Sequence, residues 1–176
     1  MRKLLVLTAI ALVAIFVVAP RFVRWTSTRP KAVFGRQAIL QRTFVDSNTA
    51  ADSDGVVAVV MEQNLGGGVI STLVVFADGN TTLYTTRAKL LNSNSPKVRE
   101  AAELFRSAVG NHTDSFQTTA DFDAPTNGHT RFYILTRTGT FGSRAEQTAV
   151  LQYPNQTLHS LLEAGQATVS EIQRAN

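Results

Sequence analysis

The 176 residues suit one domain with an appendage, and a hydrophobic fraction of 44% is ordinary for a globular protein. Cysteine is absent, which excludes disulfides, thiolate metal sites and cysteine nucleophiles. The net charge of +4 belongs to Arg2, Lys3, Arg21 and Arg24. Without them 13 basic side chains balance 13 acidic ones, so the remainder offers no phosphate-neutralising surface for nucleic acid.

The first predicted element is the run LLVLTAIALVAIFVVA, residues 4–19, sixteen residues without a charge. At about 1.5 Å per residue it falls slightly short of a ~30 Å hydrocarbon core. Phe22, Val23 and Trp25 extend it, with Trp25 where interfacial aromatics sit. Residues 1–25 are therefore read as a single-pass membrane anchor whose partner is the lipid bilayer. A cleaved signal peptide, giving a secreted protein, is the alternative. The small-residue site after Ala19 is followed by Pro20, a poor arrangement for a peptidase. A buried core helix is disfavoured because the segment is apolar all round. Arg21, Arg24, Arg29, Lys31 and Arg36 after the block favour a cytoplasmic domain by the positive-inside bias, whereas the short basic N-terminus suggests the opposite.

Residues 26–54 read as a linker, with a short helix expected within Lys31–Phe44 and loop chemistry over Asp46–Gly55. The β-branched runs Val56–Met61 and Val69–Phe76 are predicted strands, and Asp78-Gly79 is a hairpin signal leading to a third over Asn80–Thr86. Between the first two lies "NLGGG", residues 64–68. A phosphate-cradling loop needs a helix after its glycines and commonly a lysine; strand material follows here, so the glycines are read as a turn.

Ser95-Pro96 opens a helix in which Val98, Ala101, Ala102, Phe105, Ala108 and Val109 fall on one face, and Gly110-Asn111 is expected to close it in the left-handed region. Thr130–Arg137 and Thr140 to about Leu151 are predicted strands. A last helix follows Pro154-Asn155 with Leu158, Leu161, Leu162, Gly165, Val169 and Ile172 on one side. The order βββαββα predicts an α+β domain over residues 55–176, a five-stranded antiparallel sheet with helices on one face.

His112, Asp114, Asp121, Asp123 and His129 gather within the 112–129 loop and are the candidate ligands for a divalent cation, the basis of a metal-dependent hydrolase or ligand-sensor alternative. Their spacing fits neither an EF-hand nor a helical zinc pair, and polar loops collect aspartates as caps and turns. Asp121 and Asp123 could work as an acid–base pair only if burial raised one pKa. No serine lies in G-x-S-x-G, and His159 stands beside the apolar stripe of the last helix. No catalytic, cofactor or metal residue is assigned. The main expectation is a non-enzymatic, membrane-anchored protein-interaction or structural module.

The segments "GVVAVVMEQNLGGGVISTLVVFADGNTTLYTT", "VREAAELF" and "GHTRFYILTRTGTF" resemble a family of small uncharacterised bacterial proteins over roughly residues 55–176. The resemblance implies the strand-meander, helix, hairpin and helix pattern and lends no activity. Family members carry glycines between the third strand and the helix, where this chain has Arg87–Asn94 without one.

Overall fold

The computed structural model describes residues 36, 38–41, 50–53, 55–153 and 157–176. The predicted anchor, most of the predicted linker and Pro154-Asn155 lie outside the described residues. No helix among the described residues is long and apolar enough to cross a membrane.

The chain forms β1 (Val56–Gly66), β2 (Val69–Phe76), β3 (Thr81–Thr85), β4 (Ala88–Ser93), α1 (Pro96–Gly110), a 3₁₀ turn (Thr113–Ser115), β5 (Phe116–Thr118), β6 (His129–Thr136), β7 (Thr140–Ser143), β8 (Glu146–Gln147), α2 (Thr148–Leu151) and α3 (His159–Arg174). The fold is α+β. All eight strands among the described residues join one antiparallel sheet in the order β4-β3-β2-β1-β6-β7-β5, with β8 beside the start of β6.

Eight strands replace the predicted five because three are built by pairing rather than by pattern. β4 lacks a β-branched residue and forms by folding back on β3, with Leu91 opposite Leu83. β5 and β8 are three and two residues long, too short to show a period. The strand expected to reach Leu151 stops at Ser143, where side chains take over the pairing. Ser143 Oγ accepts the Phe132 N–H at 3.0 Å, and Arg131 Nε donates to the Ser143 carbonyl at 3.0 Å.

The turns follow backbone chemistry. Gly67 and Gly68 link β1 to β2 with φ of 58° and 76°, the positive values that a two-residue hairpin turn of the I′ type requires at both positions. At the next hairpin only Gly79 is left-handed, and Asp78 contributes its Oδ1, which accepts the Asn80 N–H at 2.9 Å.

α1 starts at Pro96 as predicted, but Ser95 makes no side-chain capping bond. Its expected left-handed end is also absent. Asn111 is right-handed, and the His112 N–H donates to the Val109 carbonyl at 3.0 Å, so the helix tightens into the 3₁₀ turn.

The sheet carries a core on each side. α1 and α3 cover Val59, Met61, Leu73, Val75, Phe132 and Ile134. α3 comes close at Gly165, where a Cβ would lie 2.5 Å from Met61 Sδ. The opposite face buries Val57, Val60, Val74, Tyr133 and Leu135 beneath Leu40 and Phe122. Helices were expected on one face; α1 and α3 occupy it, while helical residues 36 and 38–40 pack against the other. Leu40, placed by the sequence in a linker, is wholly buried there, a burial of about 1.5–3 kcal/mol.

Candidate functional site

The second face holds a group of buried polar side chains, Arg36, Glu62 and Thr72. Strand alternation places Ala58, Val60 and Glu62 together on that side of β1. Register then sets Thr72 of β2 opposite Glu62, Tyr84 of β3 opposite Thr72, and Arg131 of β6 on the other flank of Glu62. A row Tyr84–Thr72–Glu62–Arg131 thus crosses four strands. Arg36 closes over it.

Glu62 is wholly buried. Its Oε1 accepts from Arg36 Nε at 2.6 Å and from the Thr72 hydroxyl at 3.0 Å, and its Oε2 accepts from Arg36 Nη2 at 2.7 Å. Burial works against the Arg36 charge, but the Glu62 carboxylate outweighs it and raises the guanidinium pKa. Both carboxylate oxygens are engaged, and the pair fixes the strap formed by residues 36 and 38–41 against the second face.

Arg131 lies beside this pair. Its Nη1 donates to Asp121 Oδ2 at 2.8 Å, and its guanidinium carbon sits 5.1 Å from the Tyr133 ring centroid. The Tyr133 hydroxyl is buried without a hydrogen-bond partner among the described residues. Desolvation, then the Glu62 charge, pushes its pKa up to about 12. A cavity of ≈ 100 Å³ opens beside Arg36 between Ile70, Thr72, Tyr84 and Ala124. It is small for a cofactor.

The five predicted ligands do not converge, and no three His, Asp or Glu side chains among the described residues form a metal-holding group. His112 Nε2 meets Ser160 Oγ at 2.7 Å and so links the end of α1 to the start of α3. Asp114 lies exposed in the 3₁₀ turn. Asp121 and Asp123 are on the irregular segment that crosses the second face, and His129 begins β6 with Nδ1 3.0 Å from Thr126 Oγ1. The acid–base reading of the aspartate pair required a raised pKa. Asp121 instead has a lowered one, held down by the Asp123 N–H and then by Arg131. His159 Nδ1 donates to the Leu151 carbonyl at 2.8 Å.

Sequence reasoning missed the Arg36–Glu62 pair. Its visible trace was a carboxylate in phase with Ala58 and Val60 in a β-branched run, a position that demands a cation if that face is covered. Comparison of the chain with protein-family models, with curated proteins and with solved structures found no match.

Proposed function

We propose that the chain is a non-enzymatic, membrane-tethered module whose sheet-and-helix domain contacts a protein partner. The observation that carries this reading is the commitment of the buried charged groups to the framework. Glu62 is held by Arg36 and Thr72. The nearby Arg131 is likewise bound to Asp121, Thr119 and the Ser143 carbonyl. Groups so engaged stabilise one arrangement and, among the described residues, leave no poised nucleophile or base at the polar centre. The uncharged block of residues 4–19 supplies the tether, and the charge balance after residue 25 argues against a nucleic-acid partner.

The test has two arms. Full-length chain fractionates with membranes and needs detergent for extraction, whereas a chain beginning at residue 26 does not; a soluble full-length chain removes the tether. Cross-linking in native membranes then yields one specific, stoichiometric protein adduct. Recovery of the uncross-linked chain alone removes the partner.

A further inference from the structure

We infer that the β1–β2 hairpin tip is a lipid-contacting surface, with Leu65 entering the interfacial zone and Arg87 meeting anionic headgroups. This rests on the membrane-tether reading. Arg36 lies over Glu62 and borders the cavity formed with Ile70 and Thr86, toward the hairpin end of the sheet. Leu40 lies toward the other end, where its carbonyl accepts from Thr140 Oγ1 at 3.3 Å beside the β6–β7 turn. The described chain therefore comes onto the sheet at the end that carries the glycine turn. Ten residues, 26–35, separate Arg36 from the predicted anchor, and an extended chain spans at most about 3.6 Å per residue. The hairpin end is thus held within about 40 Å of the bilayer.

The chemistry at that end fits an anionic membrane surface. Leu65 is 63% exposed at the tip. Gly66, Gly67 and Gly68 all have positive φ, which lets the chain reverse immediately behind it. The β3–β4 turn lies against this tip: Thr86 Oγ1 donates to the Gly68 carbonyl at 2.8 Å, and Arg87 Nη2 donates to the Gly67 carbonyl. Arg87 is exposed and no carboxylate pairs with it among the described residues. Leu90, on the edge strand that leaves this turn, is 53% exposed. Between Glu62 and Glu100 the sequence has a single acidic residue, Asp78, and it occupies the β2–β3 turn at the far end of the sheet. An exposed aliphatic tip beside a cation that no carboxylate pairs with among the described residues is the composition that interfacial insertion favours.

The absence of cysteine makes site-specific labelling direct. Full-length chain carrying Leu65→Cys or Asp78→Cys is labelled with an environment-sensitive fluorophore and reconstituted into phosphatidylcholine–phosphatidylglycerol vesicles containing a nitroxide lipid. Co-flotation is scored first. The expected result is co-flotation of both, with the Leu65→Cys label quenched several-fold more than the Asp78→Cys label. Equal quenching in co-floating protein overturns the hairpin contact while leaving the tether intact; loss of co-flotation overturns both.

Discussion

Arg36 grips Glu62 across 26 residues of sequence through two parallel charge-assisted bonds, Nε to Oε1 at 2.6 Å and Nη2 to Oε2 at 2.7 Å. The side chains are 9% and 0% exposed. Water screens such a pair little, so its two-pronged geometry fixes where the strap lies on the sheet. It makes residue 36, eleven positions past the predicted anchor, part of the domain's own packing.

Removing one partner is expected to cost far more than removing both. Arg36→Ala leaves a buried carboxylate uncompensated and is predicted to destabilise the domain by about 3–5 kcal/mol. The double variant Arg36→Met, Glu62→Leu replaces the pair with apolar groups and should recover most of that loss. Urea midpoints of the single and double variants measure the difference. A chain starting at residue 42 loses both Arg36 and Leu40 and should unfold at lower urea than one starting at residue 26.

Gly165 is the point where α3 approaches the sheet. A helical Gly→Ala change ordinarily stabilises by about 1 kcal/mol. Here the new Cβ meets Met61 Sδ at 2.5 Å and Met61 Cε at 2.9 Å, and Met61 is itself buried. Gly165→Ala is therefore predicted to destabilise, because overpacking of about 1–3 kcal/mol exceeds the propensity gain. Gly165→Ala combined with Met61→Ala should be less destabilised than the two losses summed, a coupling that a double-mutant cycle reads directly.

The contrast between these two contacts marks what the sequence could disclose. Gly165 lies in a stripe whose helical period is visible, so its inward face was legible and only the closeness of Met61 was not. Period-two alternation in the predicted strand Thr130–Arg137 likewise sets Phe132 and Ile134 on one side and Tyr133 and Leu135 on the other, as the two cores show. Arg36 has no such periodic context. Its role depends on a fold-back that joins residue 36 to residue 62, and local pattern carries no term for that. The same reason hid β4, whose six residues become a strand only against β3. At the 112–129 loop the residue types were legible, but their directions were set by tertiary partners: Ser160 for His112 and Arg131 for Asp121.

Asp121 should leave a signature in the acid range. The Asp123 N–H and then Arg131 hold its folded pKa below the ordinary 3.8. A depressed folded value gives stability that is present above the unfolded pKa and lost as pH falls through the folded one. The carboxylate is 60% exposed, so solvent screens it and the contribution is small. Carboxyl chemical shifts should show Asp121 titrating below 3.8, and Arg131→Gln should move that midpoint upward.

Tyr133 predicts the opposite limb. Its hydroxyl is buried without a partner among the described residues, and burial pushes its pKa up to about 12 from an ordinary 10.0. A raised folded pKa means that the neutral phenol contributes stability fully below the unfolded value. That contribution is lost as pH rises from 10.0 toward about 12. Of the three tyrosines, Tyr84 is also raised by burial but lies at the partly open edge of the row. Ultraviolet phenolate absorbance should therefore show a last component near 12 that vanishes in Tyr133→Phe. Deleting an unsatisfied buried hydroxyl removes a desolvation penalty and keeps the ring against Leu40 and Phe122, so the same variant should be stabilised at neutral pH by about 1 kcal/mol. A loss of stability in Tyr133→Phe would mean that the hydroxyl has a hydrogen-bond partner in solution, such as an ordered water beside Glu62.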